Sequence, residues 1–231
     1  ALAYSQALDA YDLGPAHPLR PGRVSLTVAL VDAYGLIAEG ALRPVAPRAA
    51  TREDLLRVHD AEYIETVERA SVGRGMWVPK RGIGPGDTPD FPGMHDAAAL
   101  VAGATTVALE CVRSGAYVRA FSPAGGLHHA HRDRAAGFCV YNDVAVAIAT
   151  ARAADPGLRV MYVDIDAHHG DGVQEAFYAD PDVLTVSLHE SGRYLYPGTG
   201  SERERGEAAG LGAAINVPLP PYATDECYRL A

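Results

Sequence analysis

The stretch "VDIDAHHGDG", residues 163 to 172, places three aspartates and two histidines in ten positions, directly behind an apolar run at residues 158 to 163. Val160, Tyr162 and Val163 are too β-branched and aromatic for a surface helix, and the run is short, so it reads as a central strand. Side chains two apart on a strand share a face, so Asp164, Asp166 and His168 project together if the extended geometry persists that far. Asp164 sits deepest, where an unpaired charge is expensive, and needs a cation or a histidine partner.

The rest of the chain supplies a setting for such a strand end. Residues 24 to 40 carry a helical pattern, "TREDLLRVHD" a short helix that Thr51 caps with Asp54 at the capping-box position, and "AEYIETVERA" offers Tyr63, Ile64 and Val67 to a core. Residues 71 to 93 are a Gly- and Pro-rich loop, a candidate rim of a binding site. A long alanine-rich helix follows at 94 to 113. Then come a strand at 117 to 122, a helix at 143 to 154, a strand at 158 to 164, a helix at 172 to 179, and strands at 183 to 188 and 213 to 217. Strands alternating with helices predict right-handed crossovers and a mainly parallel sheet covered on both faces. Ligands bind such sheets beyond the carboxyl ends of the strands, where "GGLHHAH", "DIDAHHGDG" and "SLHESG" all fall.

Composition narrows the function classes. With 231 residues, 48% of them apolar, the chain can bury one ordinary core, and a single domain over 1–231 is expected. A net charge of -9 with scattered basic residues argues against a nucleic-acid partner. Cys111, Cys139 and Cys227 are odd in number and outside any CxxC pattern, which fits a reducing cytoplasm. No apolar run is long enough for a bilayer, so no membrane partner is expected. The opening without methionine and the closing "DECYRLA", which resembles the first turns of a helix, suggest that both ends are truncated.

Two clusters carry chemistry. Asp166 and His168 offer a carboxylate and an imidazole, the ligand types suited to Zn²⁺ or Fe²⁺; carboxylates after a strand also cap helices, a role open to Asp171 or His169. In "AGGLHHAH", His128 and His129 can take a proton from an attacking water and hand one to a leaving amine. Adjacent loop histidines are otherwise structural, as His131 is expected to be.

"GGLHHAHRDRAAGFCVYNDVAVA", "VDIDAHHGDGVQEAFY", "VLTVSLHESG" and "YPGTG" resemble the zinc-dependent histone deacetylase superfamily, and "YDLGPAHPLRPGR" with "DTPDFPGMHDAA" is most similar to its bacterial acetoin utilization branch. The resemblance covers nearly the whole chain. It implies a three-layer αβα fold of the arginase/deacetylase type, incomplete at the C-terminus, with zinc on Asp166 and His168 and with His128 and His129 beside the reacting water. Asp164 and Asp171 would orient those rings, and Asp164 would share a structural K⁺ or Na⁺ with Ser187. Gly137, Phe138 and Tyr196 match the acyl-lysine channel, where most of the family carries a second phenylalanine in place of Tyr196. Asp87 matches a rim aspartate that holds substrate backbone, and Arg23 an arginine near the inner acetate cavity.

The family's third metal ligand, an aspartate, and its oxyanion tyrosine fall beyond residue 231. The function implied is metal-dependent hydrolysis of the acetyl amide of ε-N-acetyl-lysine on proteins, linked to acetoin and acetate metabolism. The alternatives are an acetylpolyamine amidohydrolase on the same residues and a catalytically silent acyl-lysine binding protein.

Overall fold

The computed structural model describes residues 1–73 and 75–230, which form two compact units, Ala1–Ala154 and Asp155–Ala231. In the first, β1 (Leu2–Ala3) and β2 (Pro44–Val45) run parallel, with Leu2 opposite Pro44 and Ala3 opposite Val45. The α-helices described in this unit are α1 (Gly22–Ala33), α2 (Arg52–Leu56), α3 (Ala61–Ala70), α4 (Met94–Arg113) and α5 (Asp143–Ala154).

Local sequence explains most of these boundaries. Thr51 and Asp54 form the expected capping box at α2, each side chain accepting from the other's backbone N–H. In α3 the buried residues Tyr63, Ile64, Val67 and Ala70 lie at helical spacing on one stripe. The alanines of α4 let its buried face, including Ala98, Ala102 and the backbone at Ala99, approach closely: the Ala50 N–H donates to the Ala99 carbonyl at 2.8 Å.

Two expectations fail in this unit. The helix expected over 24 to 40 stops at Ala33, because Gly35 adopts φ +75° and closes a Schellman turn, with Leu36 N–H donating to Val31 O and Gly35 N–H to Asp32 O. Within α1 the expected apolar side is partly covered, Val24 buried and Val28 and Val31 half-buried, while Leu26 and Leu30 stand exposed. The strand expected at 117 to 122 reduces to a single bridge, Phe121 beside Leu2. Val118 stands 91% exposed, without the burial that favours extending a strand.

The second unit is a parallel sheet in the order β3 (Val160–Asp164), β4 (Val183–Glu190), β5 (Ala214–Leu219). Between β3 and β4 runs α6 (Asp171–Ala176), shorter than the helix expected over 172 to 179, and α7 (Asp225–Leu230) follows β5. Burial alternates along β4, so Val183, Thr185, Ser187 and His189 share the covered face. Register aligns Asp164 with Ser187 and Ser187 with Asn216, a buried polar row across all three strands. Arg74, within the loop expected over 71 to 93, and Ala231, the last residue of the expected terminal helix, lie outside the described residues. Among the described residues no helix is long and apolar enough to cross a membrane.

Candidate active site

The residues singled out in the sequence are distributed over both units: Arg23, Asp87, His128, His129, Gly137 and Phe138 in the first, Asp164, Asp166, His168, Asp171, Ser187 and Tyr196 in the second.

In the first unit, His128 and His129 lie buried on the loop before α5, their ring centroids 4.0 Å apart at 51°. The loop folds around α5's first turn. Asn142 donates from Nδ2 to the carbonyls of His128 at 3.3 Å and Ala130 at 3.0 Å, while its Oδ1 accepts from Ala145 N–H as a helix cap. The Asp143 carboxylate accepts from Leu127 N–H at 2.6 Å, Gly126 N–H at 3.1 Å and the Thr105 hydroxyl. Burial pushes the Asp143 carboxyl up, against those three donors and the neighbouring His128, which favour the ionised form. These backbone carbonyls and amides are what a buried loop must satisfy before it can aim two rings.

Asp87, expected at the rim, is tied to this loop. Asp87 accepts from Gly137 N–H at 2.8 Å through its carboxylate and from His17 Nε2 at 3.1 Å through its carbonyl. His17 is fixed in that tautomer by accepting the Leu19 N–H at Nδ1, and its ring meets Phe138 edge-on at 4.5 Å. Gly137 (φ +52°) and Phe138 (φ +71°) are both left-handed. A Cβ on Gly137 would lie 2.3 Å from His129 Cδ2, so only glycine fits against that ring. The Tyr11 hydroxyl donates to Phe138 O at 2.7 Å and accepts from Val140 N–H at 3.0 Å, bracketing the turn. Behind it, Arg23 lines a cavity of about 10 Å³ with Tyr11, Leu19, Val101, Ala124 and Leu127, close to the space one water needs.

In the second unit, Asp164 ends β3 buried, its carboxylate accepting from the Tyr162 hydroxyl and from Asp166 N–H at 3.0 Å. Asp166 and His168 follow on the exposed loop: Asp166 Oδ1 lies 2.7 Å from His168 N and 3.0 Å from His168 Nδ1. The His168 ring also meets Tyr196 at 6.3 Å. One carboxylate and one imidazole this close are two of the three protein donors that a catalytic divalent ion ordinarily takes, so this loop fits part of such a centre. Among the described residues no group of three or more such side chains converges. Asp171 starts α6, its carboxylate on Gly172 N–H. Ser187, the register partner of Asp164, hydrogen-bonds His189 Nδ1 at 2.8 Å.

Sequence reasoning missed a second buried network here. The His169 and His189 rings lie 4.8 Å apart and tilted at 46°, His169 bonding Thr199 Oγ1 and Gln174 Oε1, and His189 reaching Gly200 O at 2.9 Å. Gln174 passes the chain to Glu204, and Asn216 donates to both Gln174 Oε1 and the Glu204 carbonyl. Burial lowers both imidazoles; His189 lowers His169 further, while the Gly200 carbonyl and Asp164 act to raise His189 without overcoming its burial. Burial acts to raise the Glu204 carboxyl, but the Ser201 and Gly200 N–H groups outweigh it and hold that carboxyl below its ordinary value. Only spatial proximity, with no motif at fixed spacing, links these residues.

His59 was also missed. Burial pushes it down to about 4, below its usual value of about 6.5. A folded value below the unfolded one means stability is complete above pH 6.5 and is lost as pH falls toward 4. Unfolding free energy should therefore drop by about 2 kcal/mol between pH 6.5 and pH 5 from this ring, in addition to the loss from His169 and His189, which are lowered too. Denaturant melts across that window test it, and a flat profile would show that His59 is not held neutral.

Residues 17–231 match the histone deacetylase domain family. The acetoin utilization protein AcuC of Bacillus subtilis (strain 168) is 44% identical over 237 residues, covering 99% of this chain and 60% of its own length. AcuC of Staphylococcus aureus (strain MSSA476) is 39% identical, covering 100% of this chain and again 60% of its own. The chain thus spans about 60% of the length of these curated relatives. Among solved structures, a histone deacetylase homologue from Aquifex aeolicus superposes with a TM-score of 0.82 at 38% identity, covering 94% of this chain and 58% of that one. A homologue complexed with SAHA gives 0.81 at 38% identity. The fold class is that of these neighbours, the three-layer α/β type of the arginases and deacetylases that the sequence led us to expect.

Proposed function

From a chain that belongs to the histone deacetylase family, we propose an amide hydrolase that removes the acetyl group from ε-N-acetyl-lysine on proteins. The observation that carries this reading is the buried His128–His129 pair, its rings tilted and 4.0 Å apart, with Gly137 pressed against His129. Two adjacent imidazoles can divide the proton work of amide hydrolysis, one drawing a proton from water and the other delivering one to the departing lysine amine. Asp164 and Asp171 are the carboxylates we assign to setting which ring holds which proton.

Asp166 and His168 would hold the divalent ion, zinc or iron. When bound, it supplies Lewis acidity, polarising the acetyl carbonyl and lowering the pKa of water toward about 7. Gly137, Phe138 and Tyr196 would enclose the extended acyl-lysine side chain, Asp87 would hold the substrate backbone at the rim, and Arg23 would serve the cavity that receives acetate. The buried Asp164–Ser187 row supports a structural K⁺ or Na⁺ held by oxygen ligands. The likeness to acetoin utilization proteins supports a role in acetoin and acetate metabolism.

The test is turnover of an acetyl-lysine peptide against an N-acetylated polyamine by the protein that carries this chain. Preference for the peptide supports the reading. Preference for the polyamine moves the activity to small amines, and binding of the peptide without turnover replaces hydrolysis with recognition.

A further inference from the structure

The junction between α2 and α3 is a template for the histidine-pair loop. His59, 2% exposed, stands between Tyr63 and Tyr141, with ring centroids 5.6 and 5.1 Å away. Its Nδ1 lies 2.9 Å from the His131 carbonyl, and its Nε2 accepts the Asn142 backbone N–H at 3.1 Å. Only a neutral ring protonated at Nδ1 makes both bonds, since a carbonyl needs a donor and an amide needs an acceptor. The next residue continues the match: Asp60 N–H donates to Arg132 O at 2.9 Å, and its carboxylate accepts from Arg132 Nε at 2.6 Å.

The two residues His59 bridges, His131 just after the pair and Asn142 just before α5, bound the segment that joins the pair to that helix. Asn142 in turn holds the His128 and Ala130 carbonyls. One imidazole and one amide side chain therefore fix the carbonyls of residues 128, 130 and 131.

We propose that His59 is a positioning residue for His128 and His129, a neutral imidazole that ties the backbone just after the pair to the start of α5 and so sets the aim of the two rings. This rests on the reading of that pair as the acid–base groups. A ring that cannot change protonation state at working pH suits the task, because a proton on Nε2 would expel the Asn142 amide. Burial opposes that proton, His131 opposes it further, and Asp60 with the carbonyls of His131 and Arg132 favours it; burial prevails.

Three variants separate the two bonds. His59→Asn keeps a donor near the Nδ1 position, His59→Gln keeps an acceptor near Nε2, and His59→Leu keeps neither. In His59→Leu, kcat on an acetyl-lysine peptide should fall about 100-fold, the scale of a misplacement remote from the chemistry, with KM within about twofold and bound metal unchanged. His59→Gln and His59→Asn should each recover part of that loss. Independently of turnover, the His128 and His129 ring resonances should shift in their NMR titrations in both amide variants, and Asn142 amide exchange should quicken in His59→Asn but not in His59→Gln.

Folded variants with wild-type kcat and unmoved His128 and His129 resonances would overturn the proposal, leaving His59 a core residue only. If the wild-type protein turns over no acetylated amine, the deacetylase reading fails, while the resonances and the exchange pattern still decide the positioning role. If His59→Leu does not fold, the two amide variants decide it.

Discussion

His128→Ala and His129→Ala should each lower turnover of an acetyl-lysine peptide by about 10²- to 10⁴-fold, the contribution of a general acid or base, and leave bound metal unchanged. The backbone should survive either change. The His128 carbonyl is held by Asn142 and the preceding turn by Asp143, contacts that involve neither ring. Alanine also leaves the Gly137 approach open, since it removes the ring that a Cβ at 137 would strike. Steady-state kinetics with metal analysis of each purified variant provides the check. A variant near the wild-type rate removes that histidine from the mechanism, and one that loses its metal makes the ring a ligand.

Asp166→Ala should weaken divalent metal retention by at least about 100-fold, because loss of an outer-shell partner alone costs about 10- to 100-fold and a direct ligand contributes more. Asp166 also accepts from His168 N–H and lies 3.0 Å from His168 Nδ1, so removing the carboxylate frees the second donor's ring as well. Asp166→Asn separates the effects, since the amide oxygen can keep the backbone bond while losing the charge. Metal content after dialysis against a weak chelator should fall in both variants and further in alanine. Unchanged content in Asp166→Ala would reject the assignment.

How much could be read from the chain depended on whether a signal was local. The helices at 94 to 113 and 143 to 154 were legible to the residue because each ends in turn-forming sequence, and β3 to β5 were legible from short β-branched runs. The capping box at Thr51 was a spacing of three. The failures involve competing local patterns: the apolar period past residue 33 continues into a glycine-closed turn, and residues 117 to 122 have strand composition but only one pairing residue. In the candidate site, adjacent histidines and the D-x-D-x-H run stood out because their members are sequence neighbours. His59 meets its partners 72 and 83 residues away, and Glu204 meets Gln174 at a separation of 30. No period or motif carries such pairings; they exist only once the chain has folded.

The bare backbone at Gly137 limits where this protein can vary. Any side chain there meets the His129 ring and must also adopt a left-handed φ, so if Gly137 lines the proposed acyl-lysine channel, selection for a different acyl group has no substitution to work with at that point. Phe138 is constrained less directly: its own backbone is left-handed, but its ring rests against His17, which can change with it. Tyr196, 46% exposed, carries neither constraint. On the proposed assignment of these residues to acyl-lysine binding, libraries built to broaden acyl selectivity should spare residue 137 and randomise 17, 138 and 196.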